Sequence, residues 1–227
     1  MNVIKRVIEQ VDANIILQSK GEDGDVFRDF FNKVASMNQY AYRNQKMVIS
    51  IDWPKEFEKI NTNNVSFLEE SWLFYQVILN LDSFLAEAIS DPRALGEIRK
   101  KLDKFVYDES RYCCGKFDEF VDEVKKTVTY DYYLTIGEKL PEEPKISVIN
   151  VEPSLRKIAE IVGVKQMIVA IMVPDKINDY ERVMIADYLG YRFRRVCFWI
   201  GNLKPGLLTT SNKQFVEYIH DYELLSL

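Results

Sequence analysis

The sequence predicts an α+β protein in which a mainly helical domain, residues 1–137, precedes a small antiparallel OB-like β domain, residues 138–227, complete or lacking strands. Three observations point there. Apolar stripes at helical spacing recur from Phe27 to Val128. Composition changes at Gly137, where GEKLPEEPK has the proline and charge content of an exposed connector. Beyond it, strand-like segments follow one another with little helix between them, which favours an antiparallel sheet or barrel.

The elements follow in order. Asp25 can cap a helix whose face carries Phe27, Phe30, Phe31 and Val34. Met47–Ile51 reads as a short strand stopped by Asp52-Trp53-Pro54. Residues 61–64 read as a loop. Leu68–Leu79 is helical, and Leu81, Phe84, Leu85, Ala88 and Ile89 continue it as one bent helix or a second one. Asp91-Pro92 restarts the chain, because proline suits a first turn. Leu95, Ile98, Leu102, Phe105 and Val106 then line an amphipathic helix, and Phe117, Phe120, Val121, Val124 and Val128 another. In the second domain, strands are expected at 145–151, 166–173, 180–186, 191–200 and 214–220. A short helix or turn lies near 154–162 and a loop over 202–212.

Composition narrows the function classes. With 227 residues, 47% of them apolar, the chain can bury a core. No window approaches a transmembrane helix, and the longest apolar run, Met167–Val173, is only strand-sized. The amino terminus is too charged for a signal peptide. Cys113, Cys114 and Cys197 make a poor disulfide framework, so a reducing, cytoplasmic setting is expected. Net charge is -5, which excludes a strongly basic polyanion binder and leaves room only for a local patch.

Chemistry-bearing motifs are scarce. Neither G-x-x-x-x-G-K-[ST] nor G-x-G-x-x-G occurs, and Gly21–Asp25, GEDGD, pairs its glycines with carboxylates that repel phosphate. The single His220 has no nucleophile marked out beside it, and one histidine with three cysteines completes no common zinc motif. Acidic pairs such as Asp52 with Glu56, or Asp118 with Asp122, lack convergent partners. No catalytic residue, metal or cofactor is expected, and the chain is read as not an enzyme.

One segment carries a functional signal. In an extended strand, Arg192 and Arg194 share one face, and Tyr191, Phe193, Arg195, Cys197 and Trp199 the other. Arginines beside rings suit phosphates and stacked bases, and Lys204 can extend the patch. The same pattern also fits a core strand with basic residues at its wet rim.

Several segments also follow the order of a known family. They are the Val26–Phe31 helix, the strand Met47–Trp53 and the helix-then-proline segment Leu81–Pro92. Ile146–Val151, Leu155–Ile158, Gly163–Ala170 and Thr210–Tyr218 follow. Over residues 25–220 the chain resembles the N-terminal, non-ATPase region of archaeal minichromosome maintenance (MCM) replicative helicases. That resemblance implies a helical domain joined to an OB domain that contacts DNA. The chain departs from the family by lacking the cysteine zinc ribbon, the DNA-contacting hairpin and the ATPase half, so a hexameric helicase is not implied.

The expected function is a non-catalytic, DNA-replication-associated module that binds single-stranded or duplex DNA through Tyr191, Arg192, Phe193, Arg194, Arg195, Trp199 and Lys204. The alternative is a protein-interaction or structural adaptor, from a mobile element or virus, that binds a replication protein. A homo-oligomer fits either expectation, and no membrane partner is expected.

Overall fold

The computed structural model describes residues 5, 8–9, 14–18, 29–30, 32–34, 36–52, 66–108, 114–146, 151–172, 196–203 and 222–226. The chain forms two compact units, one of residues 1–55 with 164–227, the other of residues 56–163. The second is therefore inserted into the first. The boundary expected at residue 137 falls inside the second unit.

The first unit is built on strands β1 (Asn14–Gln18), β2 (Lys46–Asp52), β3 (Gln166–Met172), β4 (Val196–Leu203) and β5 (Tyr222–Ser226). They form one five-stranded sheet in the order β2-β3-β4-β1-β5. Every neighbouring pair is parallel. This overturns the antiparallel OB-like domain, and with it the fold that the MCM resemblance implied. The physical reason is visible in β3, where Met167, Ile168, Val169, Ala170 and Ile171 are all buried in succession. A strand of a one-sided antiparallel sheet alternates between core and solvent, whereas an inner parallel strand is covered on both faces.

Two expected strands, 180–186 and 214–220, lie outside the described residues. Of the one expected at 145–151, Lys145 and Ile146 lie in a bend, Val151 opens a helix, and residues 147–150 lie outside the described residues. Asn202 and Leu203 belong to β4, and the rest of the loop expected over 202–212 lies outside the described residues.

Helix α1 (Asn38–Arg43) leads into β2 through Gln45, which takes a left-handed conformation with φ of 58°. Its carbonyl accepts the Lys165 amide at 2.7 Å, which fixes the start of β2 beside the start of β3. The two strands then run in unbroken register from Lys46 opposite Gln166 to Asp52 opposite Met172. Of the first expected helix, residues 29–30 and 32–34 are helical, with Phe30 and Val34 buried.

The second unit is helical: α2 (Ser66–Ala88), α3 (Pro92–Asp108), α4 (Phe117–Ile136) and α5 (Val151–Val162). Helix α2 is continuous through Leu81, which settles the choice between one helix and two. Its buried Trp72, Leu73, Phe74, Val77, Ile78, Leu81, Phe84 and Leu85 follow the helical period. Phe120 of α4 is fully buried and meets Phe74 edge-to-face at 5.9 Å and Phe117 at 6.0 Å.

The helix ends are set locally. Asp91 Oδ1 accepts the Arg93 amide at 3.0 Å, with Pro92 in the first turn of α3. Asp103 of α3 does the same for Phe117 at 2.9 Å, joining α3 to the start of α4. Gly137 ends α4 at φ 71°, and the Glu138 amide reaches back to the Tyr133 carbonyl at 3.2 Å. The exposed stretch after it returns to α4 where the buried Thr127 hydroxyl donates toward the Ile146 carbonyl, at 3.0 Å.

Candidate nucleic-acid interface

The expected basic patch meets the sheet at β4. Tyr191, Arg192, Phe193, Arg194, Arg195 and Lys204 lie outside the described residues. Trp199 sits inside β4, an interior strand, in register with Ala170 of β3 and Ile15 of β1. The bounds of β4 have a consequence for the patch. Arg195 is bonded to the first residue of the strand and Lys204 to the last, so eight residues separate them. At about 3.3 Å per residue the strand's ends are roughly 23 Å apart. In sequence, Arg195 and Lys204 are thus separated by the full length of β4.

The carboxyl edge has its own logic. From β1 the chain runs to β2, across β4 and β3, whereas from β4 it runs the other way, past β1 to β5. Open parallel sheets bind ligands where outgoing connections diverge in this manner. Here β1 and β4 end side by side, Gln18 opposite Leu203, after a register shift that sets Gly201 and Asn202 against Leu17. The sequence that leaves β1 is Ser19-Lys20-Gly21-Glu22-Asp23-Gly24-Asp25-Val26. Against the phosphate-loop pattern it keeps the second glycine but has Asp25 and Val26 in place of the lysine and hydroxyl. The layout admits a ligand, and the segment that leaves β1 departs from the phosphate-loop pattern at Ser19, Asp25 and Val26.

A basic surface not anticipated from the sequence lies on α3. Leu102, Phe105 and Val106 are buried. At 3.6 residues per turn, the opposite arc of about 120° holds Arg93, Glu97, Lys100, Lys101, Lys104, Tyr107 and Asp108. All seven are exposed. The Lys100 ammonium lies 3.0 Å from Glu97, but both side chains are mostly in water, at 75% and 65%, so the pair is weak and easily exchanged. Arg93, Lys101 and Lys104 form no ion pair with another described residue. Arg99 lies to one side and is held by Asp82 of α2, its Nε 2.9 Å from Oδ1.

This surface is local. Residues 56–163 contain 14 Lys plus Arg against 21 Asp plus Glu, a difference of -7, yet α3 carries five basic residues against three acidic. The signal was present in the sequence as Arg93, Lys100, Lys101 and Lys104. It was passed over because the same residues read as the solvated side of an amphipathic helix.

Other chemistry is sparse among the described residues. No group of three His, Cys, Asp or Glu side chains is placed to hold a metal ion. Cys114 is buried and in no disulfide. His220 lies outside the described residues. Asp131, half-buried, has its carboxyl pKa raised by burial, opposed by the hydrogen bond it accepts from Ser71 at 3.0 Å. Glu123 is held below the ordinary carboxylate range, first by its hydrogen bond from Lys126. Both are explained by packing on α4 and stand apart from the α3 surface in type and partners. No described helix is long and apolar enough to cross a membrane. Comparison with protein-family profiles, curated proteins and solved structures gives no match.

Proposed function

We propose that the chain is a non-catalytic, nucleic-acid-associated module whose contact surface is the outward face of α3. The observation that carries this reading is the exposed row Arg93, Lys100, Lys104 and Tyr107, with Lys101 beside it. Ammonium and guanidinium groups held along one helix face can contact successive phosphates, and they do so without a shaped pocket. The departure from the phosphate-loop pattern after β1 argues only against phosphate-loop nucleotide hydrolysis. The acidic surroundings of α3 limit affinity, so binding is expected to be weak, in the micromolar range at low salt, and steeply salt-dependent.

Fluorescence anisotropy with labelled DNA across a salt series tests this. Lys100→Glu with Lys104→Glu is expected to abolish binding. If these changes leave binding intact while replacement of Arg192, Arg194 and Arg195 abolishes it, the contact belongs to the segment that precedes β4 in sequence instead. A protein-binding adaptor is the second reading. It draws on Leu134, 59% exposed at the tyrosine-rich end of α4, and on Leu79, 46% exposed on α2. No binding to any DNA or RNA at low salt would move the function to that class.

A further inference from the structure

The α3 face carries more than charge. Tyr107 is 73% exposed, and its side chain makes no ring, hydrogen-bond or cation contact with another described residue. Phe105 and Val106, its chain neighbours, are buried, so the ring is turned away from the core by the helical period itself. It follows Lys104 by three residues and Lys100 by seven, the spacing that aligns side chains along one face. The rise per residue places its Cα about 4.5 Å along the axis from Lys104 and about 10.5 Å from Lys100.

We infer that the ligand of this face is single-stranded nucleic acid, with an unpaired base stacked on Tyr107 and the adjoining phosphates held by Lys100 and Lys104. The inference rests on the nucleic-acid reading above and narrows it. A duplex keeps its base faces stacked internally, so a ring on a helix surface gains little from it. A single strand offers a face at every base, and stacking on an aromatic side chain is tolerant of sequence. An acidic protein surface would satisfy the lysines but leave the ring without a partner. The two long ammonium side chains in line with an open ring, both on its N-terminal side, thus favour one class of polyanion over the others. DNA and RNA single strands share this chemistry, and the test separates them.

The whole chain is titrated against labelled oligo(dT), oligo(U) and a duplex of equal length, about 16 nucleotides or base pairs. The wild type is expected to bind the single strands more tightly than the duplex. Tyr107→Ala should weaken single-strand binding about five-fold or more and leave duplex binding within about two-fold, whereas Tyr107→Trp should retain single-strand binding. Lys100→Ala with Lys104→Ala should weaken binding to every form. On single strands it should reduce the slope of log affinity against log salt by about 1.4. A preference for oligo(dT) or oligo(U) identifies the natural strand, and either supports the inference. Equal loss on duplex and single strands with Tyr107→Ala, or no loss on either, would overturn the stacking inference while the lysine result upholds the broader reading. Absence of binding to all three would overturn both. Tyr107 is exposed, so far-UV circular dichroism of its variants should match the wild type.

Discussion

Replacing Phe120 with alanine is expected to destabilise the helical unit by about 3–5 kcal/mol. Phe120 has no exposed surface and touches two other rings, at 5.9 Å to Phe74 and 6.0 Å to Phe117. Truncation removes the transfer free energy of the ring and leaves a cavity whose rim is made of side chains held by their own helices. The two rings beside it, Phe74 and Phe117, are themselves buried, so the site cannot collapse freely. An ordinary domain has a total stability of about 5–15 kcal/mol, so the variant should fold but unfold at much lower urea. The assay is urea titration followed by far-UV circular dichroism, to which the four long helices contribute most. Phe120→Leu separates the geometric part. It keeps most of the volume and loses both ring contacts, and a double-mutant cycle with Phe74→Leu should report a coupling of about 0.5–1.5 kcal/mol. A cost below about 1 kcal/mol for Phe120→Ala would refute the packing argument. So would a coupling indistinguishable from zero.

Other changes should move stability in stated directions. Gly96 lies within α3, where an added Cβ meets nothing within 4 Å. Gly96→Ala should therefore raise stability by about 0.5–1 kcal/mol in the same titration. Gly137 ends α4 with φ 71°, and a Cβ there likewise meets nothing, so the cost of Gly137→Ala is conformational alone, about 1 kcal/mol, and Gly137→Asn should cost less. The pH dependence has two opposed parts. Glu123 has a lowered pKa, chiefly from its Lys126 hydrogen bond, so its contribution is present above the unfolded carboxylate's pKa and is lost as pH falls through the folded value. Glu123→Gln should flatten the acid limb of a stability profile. Asp131 has a raised pKa, chiefly from burial, so its contribution is present below the unfolded pKa and lost as pH rises through the folded one. Asp131→Asn keeps an acceptor for Ser71 and should stabilise the protein at neutral pH relative to the wild type.

The helices were legible from the chain alone because their signal is local. The spacing of Leu95, Ile98, Leu102, Phe105 and Val106 fixes both the existence of α3 and the side it buries. Asp91-Pro92 marks its start through a side-chain acceptor two residues from its partner amide. The strands β2 and β3 were recognisable for the same reason, as short runs rich in apolar and branched residues. What periodicity could not convey was that these two strands are neighbours. Their pairing joins Lys46 to Gln166 across an inserted helical unit, and no nearby residue specifies a partner that distant. The parallel direction follows from the long crossover connections, since closely spaced strands would have formed hairpins instead.

β1 and α1 were missed. Asn14–Gln18 is a five-residue strand whose place is set by neighbours near the carboxyl terminus, and α1 has six residues with only Asn38 and Ala41 buried. The proposed contact surface divides along the same line. Composition showed that any nucleic-acid contact must be local, and the basic residues of α3 stood in plain view. Exposure of Tyr107 was a tertiary fact, because a tyrosine reads as core or surface equally well until the packing of Phe105 and Val106 turns it outward. Likewise Arg195 and Lys204 looked like one patch along the chain, and only the extent of β4 showed that a whole strand lies between them in sequence. Local sequence sets which elements form and which face each one buries. Contacts between residues far apart in the chain decide which elements meet, and so which side chains can act together.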